Sequence, residues 1–171
     1  RTTRAPTCGG IWIASLTSCG DDPQPLAHVL DNGDLGTSAT GGWSVSGGAG
    51  FYGVNSLYSK IAGSTYTYRF TLPQPGAYEV FLWWTEFSSR RPDVPIQVTH
   101  AAGVASTTVD QRLNGSQWNR IGSWTFGSSA VVKITGLGGG LSTCADAVAL
   151  IPAGRLAADL IVDNGRPGST G

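Results

Sequence analysis

Apolar residues run along this chain in short clumps separated by Gly, Ser, Thr, Asn and Pro, the punctuation of a protein built from strands and turns. Over 65–72, Tyr66, Tyr68 and Phe70 alternate with Thr65, Thr67, Arg69 and Thr71, which predicts a strand with one buried face. Over 78–87, Tyr78, Val80, Leu82 and Trp84 alternate with Glu79, Phe81, Trp83 and Thr85. Both faces of that second strand are apolar in its later half, as in a central strand covered on both sides. Further strands are predicted at 28–31, 43–46, 57–61, 94–100, 104–110, 118–126, 130–135 and 145–151. Turns are marked by Asn32-Gly33, Gly47-Gly48, Pro73 to Gly76, Ala102-Gly103, Asn114-Gly115 and Gly138 to Gly140. No stretch keeps a helical period, and the one helix candidate is a short turn near Leu156 to Asp159. Ten short strands in this order predict an all-β antiparallel sandwich, jelly-roll-like, with extra terminal strands outside the core domain.

The domain organisation follows from what flanks the strands. Residues 1–27 form an N-terminal extension with one strand, Ile11-Trp12-Ile13, and a Pro-rich spacer at Asp22 to Pro25. The sandwich occupies 28–152, and 153–171 is a linker plus a strand. That last strand is an internal repeat: Val29-Leu30-Asp31-Asn32-Gly33 recurs as Ile161-Val162-Asp163-Asn164-Gly165. It reads either as the opening of a further tandem module or as a strand for another subunit.

Charge narrows the partners. Only 13% of the residues are charged and the net charge is zero, against about a quarter charged in a usual soluble domain. Lys and Arg are scattered, without the cluster that displaces counterions from a phosphate backbone, so nucleic acid is set aside. No apolar run approaches the ~18–20 residues of a membrane span, and no membrane insertion is expected. Three cysteines leave an odd thiol. Cys8 and Cys19 flank the Ile11 to Leu16 strand and could close it, with Cys144 as a buried small residue; Cys19 with Cys144 is the alternative. Two His and no C-x-x-C argue against a metal site, and no cofactor is implied.

Enzymatic constellations are missing: there is no G-x-S-x-G, no H-E-x-x-H and no phosphate-cradling loop. A hydrolase or lyase would need His100 or Glu86 in a pocket beside a second catalytic group. Glu86 and Arg90, just after the aromatic strand, could read a ligand's polar groups or form an ion pair that ties down a loop. Asp31-Asn32-Gly33-Asp34 resembles part of a calcium loop, but Asp34 becomes Arg166 in the repeat, which favours a tight turn. Six Trp could stack on sugar rings or fill the core; of Trp83 and Trp84, one must point to each face. The candidate ligand-binding residues are therefore Trp83, Trp84, Glu86, Arg90 and Trp118. Asn114-Gly115-Ser116 is a glycosylation sequon in a turn.

These motifs resemble a known family. Val29 to Thr40 with Trp43 to Ser46, then Ser56 to Ser59, is similar to the opening of the golvesin C-terminal-like domain, a module also attached to bacterial xanthan lyases and regarded as carbohydrate-binding. Tyr78 to Glu86 with Ser89-Arg90 resembles its central strand. Val94 to His100, Asp110-Gln111, Asn114-Gly115 with Trp118, and Cys144 to Val148 resemble its closing elements. The resemblance covers about 28–152 and implies a secreted bacterial β-sandwich, extracellular or on the cell surface, without catalytic activity. Two functions are expected from the whole reading. The first is a structural subunit of an extracellular filament or array, joined head-to-tail to copies of itself or to tandem domains through strands carrying Ile11, Trp12, Ile13 and Leu160, Ile161, Val162. The alternative is a carbohydrate-binding accessory module with a polysaccharide as partner.

Overall fold

The structure, a computed structural model, describes residues 27–154. The extension strand Ile11-Trp12-Ile13, the Cys8–Cys19 pairing, the helical turn at 156–159 and the strand at Leu160-Ile161-Val162 lie outside the described residues.

Among the described residues twelve strands follow one another: β1 His28–Leu30, β2 Thr37–Thr40, β3 Ser44–Val45, β4 Leu57–Ser59, β5 Thr65–Thr71, β6 Gly76–Trp83, β7 Val94–His100, β8 Gly103–Val109, β9 Asn119–Phe126, β10 Ser129–Thr135, β11 Thr143–Ala145 and β12 Ala147–Pro152. All paired strands are antiparallel. They form a five-stranded sheet in the order β2-β5-β10-β7-β8, a four-stranded sheet β1-β12-β6-β9, and a small sheet β11-β4-β3. This is the predicted all-β sandwich. Among the described residues no helix is long and apolar enough to cross a membrane.

Period-two alternation builds the core. Tyr66, Tyr68 and Phe70 of β5, Ile96 and Val98 of β7, and Val132 and Ile134 of β10 face Tyr78, Val80 and Leu82 of β6 and Val148 and Leu150 of β12 in one buried cluster. Burying such side chains contributes about 1.5–3 kcal/mol each, and register is set by it, because a slip of one residue would turn every one of them outward. The predicted two-sided burial of the aromatic strand is present: Phe81 packs on the opposite face of β6 with Ala149 and Ile151 of β12. A bulge in the β6–β9 pairing falls between Val80 and Phe81.

Two elements differ from expectation. β2, Thr-Ser-Ala-Thr, has no apolar alternation; it is an edge strand held by backbone pairing to β5, and an edge has no need of a second buried face. The predicted strand 145–151 is two strands divided at Asp146, β11 pairing with β4 and β12 with β6.

The opening turn is a turn and not a loop of free ligands. Asp31 Oδ1 accepts from the Asn32 N–H, Asp34 Oδ2 accepts from the Asp31 N–H, and the Asp34 N–H returns to the Asp31 carbonyl. Gly33 takes φ +98°, a region open to Gly at little cost.

Candidate functional site

β6 ends at Trp83, and the chain beyond it, Trp84 to Arg91, leaves the sheet and is stitched to the start of β11. The Arg90 N–H closes a turn on the Phe87 carbonyl; the Ser142 N–H donates to the Ser89 carbonyl and the Arg91 N–H to the Ser142 carbonyl. Arg91 makes a bidentate pair with Asp93 and donates to the Gly138 carbonyl. Backbone pairing therefore holds a stretch that carries little apolar pattern of its own.

Along this segment lies an open cleft of about 290 Å³ lined by Ser46, Gly47, Tyr58, Lys60, Phe87, Ser89, Arg90 and Ser142. Phe87 is 47% exposed. The Arg90 guanidinium lies over two rings, 5.9 Å from the Tyr58 centroid and 5.8 Å from that of Phe87, in the range of cation–π attraction. Arg90 itself is only 3% exposed. Its Nε donates to the Thr85 carbonyl, Nη1 to Ser142 Oγ, and Nη2 to Ser46 Oγ and Thr85 Oγ1. The cleft's lining holds no carboxylate or imidazole.

The expected Glu86–Arg90 ion pair is not formed, and this corrects the sequence reading. Side chains of adjacent even-spaced positions share a face only while the strand continues, and it stops at Trp83. Glu86 points to the other side, where Oε2 accepts from the Gly115 N–H. A methyl group on Gly115 would come within 2.6 Å of the Glu86 nitrogen, so Gly115 permits the loop 110–118 to close here. The Ser116 N–H adds a bond to the Trp84 carbonyl.

Trp84 is the second correction. It is 3% exposed and part of the core cluster, with its indole N–H on the Leu113 carbonyl; it is the inward member of the Trp83–Trp84 pair and offers no face to a ligand. Trp83 and Trp118 meet each other and Tyr52: the three ring centroids are 5.2–5.8 Å apart with interplanar angles of 58–75°. Edge-to-face packing of this kind is favourable for rings among themselves, and both indoles stay half-buried. The Trp83 indole N–H donates to the Gly50 carbonyl, fixing the 47–53 loop above the triad.

Beneath that loop sit two carboxyls. Asp146 is fully buried; Oδ1 accepts from the Tyr52 N–H, and Oδ2 meets no partner among the described residues. Burial, and then the charge of Asp31, push it up to about 9, so it is protonated at neutral pH. Burial raises Asp31 to about 6, with Asp34 adding to the effect. Among the described residues no three His, Cys, Asp or Glu side chains converge as metal ligands. Cys144 is buried, its thiol raised by burial; Cys19, its alternative partner, lies outside the described residues. His100 stacks on Trp124 and its Nδ1 accepts from the Ala102 N–H.

Lys60, Tyr58, Ser46 and Ser142 escaped the sequence reading because three separate stretches of chain supply them. Phe87 carried a signal: a lone large apolar residue in the polar run Glu86-Phe87-Ser88-Ser89.

The fold places this chain among the antiparallel jelly-roll sandwiches. A family 35 carbohydrate binding module from Clostridium thermocellum superposes with a TM-score of 0.57, covering 74% of this chain and 98% of that one, at 13% identity; that is a likeness of fold alone. The chain belongs to the golvesin C-terminal domain family, whose profile matches residues 28–152. It is 34% identical over 145 residues to the xanthan lyase of Bacillus sp. (strain GL1), covering 82% of this chain and 15% of that protein. A Paenibacillus xanthan lyase structure superposes with a TM-score of 0.70 at 30% identity, covering 75% of this chain and 13% of that one. The chain thus spans about a seventh of the lyases it matches.

Proposed function

We propose that the domain is a non-catalytic, carbohydrate-binding accessory module of a secreted polysaccharide-active protein, with the cleft beside Phe87 as its contact surface. The cleft itself carries this reading. An exposed aromatic ring, hydroxyls from Ser46, Ser89 and Ser142 and two basic side chains converge there, and sugar recognition uses a ring face with a few placed polar groups. Trp83 and Trp118 act as supports of the 47–53 loop, and Glu86 pins the 110–118 loop. The family shared with xanthan lyases supports a polysaccharide partner. The test is affinity electrophoresis of the purified chain through gels containing xanthan, a polyuronate, cellulose derivatives or mannan. Retardation by at least one glycan, reversed by its soluble oligosaccharides, is expected; unretarded migration in every gel would remove the reading.

One observation favours an assembly role beside it. The 161–170 repeat keeps Asp163, Asn164, Gly165 and Gly168, matching Asp31, Asn32, Gly33 and Gly36. These are positions the opening turn uses, with φ +98° at Gly33 and +99° at Gly36. The exposed Asp34 is replaced by Arg166. The tail sequence thus suits the same strand and turn in a tandem or exchanged copy. Sedimentation of the full chain against one ending at 154 tests it: concentration-dependent association lost on truncation is expected, and monomers in both cases would end it.

A further inference from the structure

The cleft holds a cation without a counter-ion. Arg90 is almost wholly buried, yet its hydrogen-bond acceptors are a carbonyl and three hydroxyls, all neutral. Among the described residues the ion pairs involve Arg91, Arg112 and Arg120, not Arg90. A buried charge is normally paired, because desolvation is costly unless an opposite charge offsets it. Asp146, the acid whose titration feels Arg90, is kept neutral by burial. Four bonds leave one of the five guanidinium N–H groups uncommitted, and it lies on the Nη1 side that also reaches Ser142. At the rim, exposed Lys60 forms no ion pair among the described residues and adds a second positive charge to the same lining.

We infer that the Arg90 cleft binds the carboxylate of an acidic saccharide, with Lys60 at its mouth, the serine hydroxyls around it, and the sugar ring against Phe87. This deepens the proposed carbohydrate-binding role and rests on it. A carboxylate accepts charge-assisted hydrogen bonds from both cations, and it supplies the charge that the fold leaves out. A neutral sugar would gain the hydroxyl and ring contacts only, so discrimination between acid and neutral forms comes from the Arg90–Lys60 pair. Arg90 also ties together Ser46, Thr85 and Ser142, so its loss disturbs the fold as well as the charge; Lys60 has no such role.

The experiment is calorimetric titration of the full chain with acidic oligosaccharides (from polygalacturonate and from xanthan), each beside its carboxyl-reduced counterpart. The acid form should bind about tenfold or more tightly than the reduced form, a difference expected for a charge-assisted contact at a partly buried site, and the advantage should shrink as NaCl is raised. Lys60→Gln should lower affinity for the acid several-fold without moving the melting temperature, and should narrow the preference for the acid over the reduced form. Arg90→Lys, checked for folding by circular dichroism, should lose more. Equal binding of acid and reduced forms would overturn the carboxylate inference while leaving the module a glycan binder. An unchanged affinity in Lys60→Gln would also overturn it. Failure of every glycan, neutral or acidic, would instead remove the carbohydrate-binding reading beneath it.

Discussion

The side chain of Gln111 bonds both backbone groups of Cys144: Nε2 donates to its carbonyl at 2.9 Å and Oε1 accepts from its N–H at 2.7 Å. Gln111 has no exposed surface, and its own N–H donates to the Arg91 carbonyl. One buried amide thus replaces a strand neighbour for β11, which pairs with β4 on its other side, and anchors the loop after β8. Gln111→Leu keeps the volume but strands two buried polar groups, each costing about 1–3 kcal/mol. The expected loss is about 2–6 kcal/mol in urea unfolding, with glycan binding weakened only where the cleft loosens through Ser142.

Stability should fall as the solution becomes alkaline. Asp31 and Asp146 are raised to about 6 and about 9, so the folded state holds their protons more tightly than the unfolded chain, whose carboxyls titrate near ~4. Their contribution is fully present below pH ~4 and is lost as pH rises through the folded values. Melting temperatures followed by circular dichroism should fall most steeply between pH ~4 and 6, where both carboxyls contribute, more gently from there to about 9 through Asp146 alone, and level off above it. Asp146→Asn mimics the protonated acid, keeps an acceptor for the Tyr52 N–H, and should flatten the alkaline part of the curve.

Gly36 is the position in the opening turn least open to change. Its φ is +99°, and an added Cβ would stand 2.6 Å from the Arg69 carbonyl oxygen, while its own carbonyl accepts the Arg69 N–H at 2.8 Å. Gly36→Ala must displace backbone on both counts and should cost about 1–3 kcal/mol, read as a lower urea midpoint.

Phe87 and Trp84 should separate binding from stability. Phe87→Ala removes a half-exposed ring and its contact with the Arg90 guanidinium and should lower stability by about 1 kcal/mol while abolishing retardation in affinity gels. Trp84→Phe strands the Leu113 carbonyl and loosens the core, costing about 1–3 kcal/mol, with affinity retained at a temperature where the variant is folded.

The sequence alone determined the all-β class, the two-sided central strand, the turn at Asn32-Gly33 and the family resemblance over 28–152. Each rests on local signals, period-two alternation and turn residues, which are read from neighbours along the chain. Only the tertiary structure decided which of Trp83 and Trp84 is core, because alternation assigns opposite faces without saying which face is inside. It also separated Glu86 from Arg90, since the strand ends at Trp83, and it gathered Ser46, Tyr58, Lys60, Phe87 and Ser142 around Arg90 from distant segments. Such a convergence depends on long-range strand pairing and on where charge is desolvated, and neither is encoded in spacing along one stretch of chain.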